Sequence, residues 1–132
     1  MIHGIGTDIL RVERIERAYR RFGLHFVDRL LLDEERLVFD QRAARSELSA
    51  VRFLALRFAA KEAIVKALGT GFAHGMWIRD CGVVQNDWGR PDVVWSLRGL
   101  QVKSRLGVGS GHVTLTDEGG LVVAVAVLEK MH

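Results

Sequence analysis

Past Gly71 the apolar residues of this 132-residue chain change their period, from about 3.6 residues to 2. Upstream, Val12, Ile15, Tyr19 and Phe22 recur at helical spacing up to Gly23, and Phe26 to Leu32 continues helical or irregular. A helix capped by Asp33 runs through Leu37 and Val38 towards Arg45, and a central helix capped by Ser49 spans about Val51 to Leu68. Downstream, Asp80–Gln85 and Val93–Leu97 flank the turn Asn86-Asp87-Trp88-Gly89-Arg90-Pro91 as a hairpin. Ser96–Leu106 contains a short helix, and His112–Thr116 pairs with Leu121–Leu128 through Asp117-Glu118-Gly119-Gly120. The exception is an opening strand, Ile2–Gly6, that ends at Thr7-Asp8. Helices first and antiparallel strands afterwards predict an α+β fold rather than a doubly wound parallel sheet. Neither a repeat nor a linker interrupts the pattern, so residues 1–132 are expected to form a single domain.

A hydrophobic content of 48% supports a real core. Cys81 is the only cysteine and can form no internal disulfide, which fits a reducing compartment. The N-terminus lacks the basic-then-apolar pattern of a signal peptide, and the longest apolar run, Leu121–Leu128, is far too short to span a bilayer. A cytoplasmic protein without a membrane segment is the expectation. The net charge of +3 is modest but uneven: Arg14, Arg17 and Arg21 share one face of the first helix. Such a face suits an acidic partner, and it equally suits a solvated surface with Glu–Arg pairs. Nucleic acid is the weaker partner, because no aromatic residues interleave with the basic run.

On the central helix, Phe53, Leu56, Ala60, Ala63, Ile64 and Ala67 form the core-facing stripe. Glu62 and Lys66 lie nearly opposite it, one turn apart. They form either an ordinary surface pair or part of a site, and the small neighbours Ala55, Ala59 and Ala63 would admit another surface. Gly69-Thr70-Gly71 stops the helix and lets the backbone approach a ligand. Asp8, at the end of Gly4-Ile5-Gly6-Thr7-Asp8, is either a helix cap or a metal ligand paired with Glu62. Two carboxylates suffice for Mg²⁺ when substrate phosphates and water complete its shell, and Mn²⁺ suits the same oxygens. Cys81 and Ser110 have no evident base partner, so no covalent nucleophile is expected.

Four blocks in order carry a resemblance: Gly4–Ile9, Arg57-Phe58-Ala59-Ala60-Lys61-Glu62-Ala63 with Lys66 and Gly69-Thr70-Gly71, Gly89-Arg90-Pro91, and His112-Val113-Thr114-Leu115-Thr116. Together they resemble the holo-acyl-carrier-protein synthases, the small class of 4′-phosphopantetheinyl transferases. The resemblance implies an antiparallel sheet packed on a long central helix. It also implies transfer of 4′-phosphopantetheine from coenzyme A to a serine of apo acyl carrier protein, with release of adenosine 3′,5′-bisphosphate, in fatty acid biosynthesis. Asp8 and Glu62 correspond to the Mg²⁺ ligands, Glu62 and Lys66 to the catalytic pair, and Lys66 to the pyrophosphate contact. Arg57, Lys61, Gly69, Thr70, Gly71 and His112 would line the coenzyme site, and Arg14, Arg17 and Arg21 would face the carrier protein. The serine proton would pass to Glu62 directly or through a water on the metal. A homotrimer with sites between protomers is implied. Asp117 stands where many relatives carry a second histidine, so that histidine's role does not transfer. The competing reading is a non-catalytic module that docks through its arginine helix.

Overall fold

The computed structural model describes residues 1–132. The first strand, β1, runs Ile2–Arg11 and leads directly into α1, Val12–Phe22. It is longer than the sequence suggests, running past Thr7-Asp8, and its Gly4 and Gly6 lie against another element. A Cβ on Gly4 would fall 2.1 Å from the Ala67 carbonyl oxygen, and one on Gly6 would fall 2.0 Å from that of Ala63. These glycines let β1 lie against the long helix α4, Glu47–Leu68, and alternation then turns Asp8 to the same side. Gly6→Ala should therefore cost about 3 kcal/mol or more of folding stability, read as a lower denaturant midpoint, since backbone stands in the way.

Between α1 and α4 lie α2, Leu24–Leu30, and α3, Asp33–Arg45. Gly23, at φ +57, joins α1 to α2. The cap of α4 is Ser46, whose hydroxyl oxygen accepts from the Ser49 amide at 3.0 Å; Ser49, the residue expected to cap, is already inside the first turn. After α4 come the hairpin β2 (Cys81–Gln85) and β3 (Pro91–Trp95), α5 (Leu97–Arg105), and the long hairpin β4 (Val108–Glu118) and β5 (Leu121–Lys130). The main sheet is antiparallel in the order β1-β5-β4, with β2-β3 as a separate two-stranded ribbon.

The alternation of β5 places Val122, Ala124, Ala126 and Leu128, all fully buried, on the face towards α4. Ala59, Ala60, Ala63 and Ala67 answer them from the helix, so two small-residue surfaces pack closely. The alanines around Glu62 thus serve the fold and leave no room for an outside surface. Leu56, expected in the core stripe, is only half-buried. The opposite sheet face carries Ile5 and Ile9, 59% and 63% exposed, beside Val123, Val125 and Val127.

Candidate active site

Asp8 reaches the site from the middle of β1, and Glu62 and Lys66 from the narrow exposed stripe of α4. Lys66 Nζ stands 3.2 Å from Asp8 Oδ1 and donates to the Thr7 carbonyl at 3.0 Å. Glu62 is held above the ordinary carboxylate range by burial and by the charge of Asp8, against the opposing pull of Lys66 and Arg14. Two carboxylates close enough to repel, with a lysine at their edge, form an electrostatically frustrated cluster that a divalent cation would relieve. No third His, Cys, Asp or Glu joins them. That donor set fits an ion that keeps waters and substrate oxygens in its shell, as Mg²⁺ does, and does not fit zinc.

The sign of the Glu62 shift makes a prediction. A raised folded-state pKa means that the folded protein binds this proton more tightly than the unfolded chain. The resulting stabilisation is present below Glu62's ordinary value and is lost as pH rises through the raised one. Removing the like charge with Asp8→Asn should lower the Glu62 pKa, which carboxyl-carbon NMR titration of the metal-free protein would read directly.

The helix stop forms as expected. Gly69 takes φ +90, its amide donating to the Lys66 and Val65 carbonyls, and Gly71 takes φ +57. This leaves Thr70 and Gly71 beside Lys66 at the end of α4. Arg14 is the α1 arginine nearest the site: it faces Glu62 electrostatically and lies over the Phe58 ring at 5.4 Å. Arg17 and Arg21 extend that exposed face, Arg17 weakly paired with Glu13 at 3.8 Å. His112 lies on β4, its Nε2 2.8 Å from Glu129 Oε2 and its Nδ1 3.4 Å from Arg90 Nη2. Arg90 is the turn arginine of Gly89-Arg90-Pro91, so two of the sequence blocks meet there.

Lys61 is placed differently from the sequence reading, whereas Arg57, though largely buried, lines a cavity with Arg42, Arg52 and Gln85. Lys61 is fully buried, with Nζ 2.8 Å from Glu35 Oε1 and donating to the Cys81 carbonyl at 2.5 Å. Arg57 is 5% exposed, with Nε 4.0 Å from Glu35 Oε2. Both project towards α3 and β2, away from Glu62 and Lys66. Glu35, which sequence reasoning missed, collects them. It shares a helical face with Phe39, four residues on, and that periodicity was its available signal. Cys81 is buried, its thiol pushed up to about 12, which leaves it inert as a nucleophile. Asp117 accepts a two-pronged contact from Arg52 at 2.6 and 2.8 Å.

This helix-backed sheet carries an acid pair and a lysine at one edge, a donor set suited to phosphate held through a divalent ion. The family model of the 4′-phosphopantetheinyl transferase superfamily matches residues 4–126. The holo-[acyl-carrier-protein] synthase of Vibrio vulnificus is 40% identical over 128 residues, covering 97% of this chain and 98% of that protein. Among solved structures, the holo-[acyl-carrier-protein] synthase of Neisseria meningitidis superposes with a TM-score of 0.90 at 37% identity, covering 98% of this chain and 100% of that one. That of Bacillus anthracis, solved with coenzyme A (3′,5′-ADP), gives 0.79 at 32% identity over 98% of each chain. The chain belongs to the 4′-phosphopantetheinyl transferase superfamily and, within it, to the holo-[acyl-carrier-protein] synthases.

Proposed function

We propose that the chain transfers the 4′-phosphopantetheine group of coenzyme A to a serine hydroxyl of apo acyl carrier protein. The observation that carries this reading is the convergence of Asp8, Glu62 and Lys66, with Lys66 Nζ 3.2 Å from Asp8 Oδ1 beside a second carboxylate. Coenzyme A is the ligand in the Bacillus anthracis relative's structure, which supports the same coenzyme here. Asp8 and Glu62 would hold a Mg²⁺ ion, and Mn²⁺ suits the same oxygens. When bound, such an ion neutralises charge on the pyrophosphate and its leaving group.

The residues of the chain supply the rest. Lys66, anchored by Asp8 and the Thr7 carbonyl, sets a fixed positive charge where phosphate oxygens gather. Gly69, Thr70 and Gly71 offer backbone close to it. The serine oxygen forms its bond to phosphorus as the bond to the adenosine 3′,5′-bisphosphate oxygen breaks. Glu62, with its raised pKa, is the member of the acid pair suited to take the serine proton. Arg14, Arg17 and Arg21 give the acidic carrier a cationic face to dock on.

The two largest cavities of the chain, about 520 and 430 Å³, are lined by none of Asp8, Glu62 and Lys66. The apolar outer sheet face, with Ile5, Ile9, Val123, Val125 and Val127, is the surface through which copies would assemble and enclose the site, as a homotrimer. No helix is long and apolar enough to cross a membrane. A reducing cytoplasm is the compartment that suits the lone buried thiol.

Intact-mass analysis of an apo acyl carrier protein, incubated with this protein, coenzyme A and Mg²⁺, tests the reading. The expected result is a gain of one phosphopantetheinyl group that EDTA abolishes. No gain on several apo carriers, with folded protein, overturns it.

A further inference from the structure

The position of Lys66 in the free protein sets a conflict with any ion the acid pair could hold. Its stem crosses β1 at Gly6, where a Cβ would fall 2.9 Å from the Lys66 Cβ. The root of the side chain is therefore fixed, while the half-exposed remainder leaves the ammonium free to turn. That ammonium donates to Asp8 Oδ1 at 3.2 Å and to the Thr7 carbonyl at 3.0 Å. Asp8 Oδ1 is one of the few oxygens the pair can offer a divalent ion, and Lys66 already holds it. When both carboxylates are ionised, the three side chains together carry one negative charge, where the acids alone would carry two. Arg14 adds a further cation, but it acts on Glu62 from α1 and does not bond to Asp8.

An ammonium and a divalent ion cannot share one carboxylate oxygen, because they repel each other strongly at that separation. An arriving phosphate resolves the conflict. It gives the ammonium a new acceptor and sets negative charge beside the ion. We propose that Lys66 is a resident counter-ion of the acid pair, holding Asp8 against a divalent ion until a phosphate draws the ammonium away. Metal and phosphate then bind with positive coupling, and by linkage each tightens the other by the same factor. The exchange at Asp8 stands on the geometry of the free protein. Its use in turnover rests on coenzyme A being the substrate, as proposed above.

Binding of Mn²⁺ alone, followed by loss of the free ion's electron paramagnetic resonance signal, tests the exchange without any transfer reaction. Lys66→Met should bind Mn²⁺ about tenfold more tightly than the parent, the scale of one unit charge acting on a divalent ion a few ångströms away in a nearly aqueous site. Methionine forms helix about as well as lysine, so the variant should fold, and Lys66→Gln should give the same gain. Lys66→Arg keeps the charge and a donor and should match the parent. Arg14→Gln should give a clearly smaller gain. Coenzyme A without carrier protein should tighten Mn²⁺ binding to the parent, after correction for the ion it holds in solution. In Lys66→Met that factor should shrink about tenfold. Mn²⁺ binding by Lys66→Met no tighter than the parent's overturns the proposal, as does an equal gain in Lys66→Arg or Arg14→Gln. An undiminished coenzyme effect in Lys66→Met, or no Mn²⁺ binding by any form, overturns it too. If the Mn²⁺ pattern holds while no carrier protein gains mass, the function proposed above falls and the exchange at Asp8 stands.

Discussion

Glu62→Ala is expected to lower the rate of phosphopantetheine transfer by about three orders of magnitude, the scale seen when a fixed charge facing a transferring phosphoryl group is lost. The protein should stay folded, because Glu62 is only half-buried, at the edge of α4, where alanine is the best helix former and relieves a like-charge contact with Asp8. Removing it leaves Asp8 and Lys66 as a neutral pair, which offers a divalent ion little attraction and no acceptor for the serine proton. Asp8→Asn should behave similarly for the first of those reasons. Binding of the apo carrier, measured by calorimetry without coenzyme A, should survive, since Arg14, Arg17 and Arg21 are untouched. A docking module would show the reverse, with arginine substitutions severe and Glu62→Ala harmless. Turnover by Glu62→Ala within tenfold of the parent would remove this carboxylate from the chemistry.

Most of the fold was legible because its elements are marked locally. The change of period at Gly71, the stop at Gly23, the Asn86–Pro91 turn and the alternation of Leu121–Leu128 each depend on near neighbours in the chain. What escaped depends on distant partners. The opening strand is expected to end at Thr7-Asp8, yet β1 continues to Arg11, and it is the α4 backbone at Ala67 and Ala63 that requires Gly4 and Gly6. The same close packing consumed the alanines around Glu62.

The site divides in the same way. The helical spacing of Glu62 and Lys66 put them on one exposed stripe, and the alternation of β1 brought Asp8 to them. For Lys61 and Arg57, spacing within the helix could not reveal a buried carboxylate on another element. Charged residues are rarely fully buried, so the default places both at the surface. Glu35 reverses it. Asp117 likewise gains its meaning only from Arg52, across 65 residues of chain.

That burial turns Lys61 from a coenzyme contact into a test of the fold. Glu35 Oε1 accepts from the Leu32 amide at 3.0 Å, and Oε2 from the Val83 amide at 2.9 Å. With Lys61 on α4 paired to it and donating to the Cys81 carbonyl, one ionic knot ties α3, β2 and α4 together. Gly82 is part of the knot, because a Cβ there would sit 2.6 Å from the Glu35 carboxyl carbon. Lys61→Met should cost about 3–5 kcal/mol, since it removes the closest cation from a buried carboxylate and leaves only the more distant Arg57. At this chain length that corresponds to a melting point lower by roughly 10–20 °C. Adding Glu35→Gln should recover only part of the loss: no carboxylate is then stranded and the amide oxygen still accepts from one of the two backbone amides, but the buried Arg57 loses its carboxylate partner. At a temperature where Lys61→Met is folded, its KM for coenzyme A should lie within about twofold of the parent, as a contact enclosed in the core cannot touch the coenzyme. Parent-like melting with a KM raised tenfold would return Lys61 to the coenzyme site and overturn its assignment to the core.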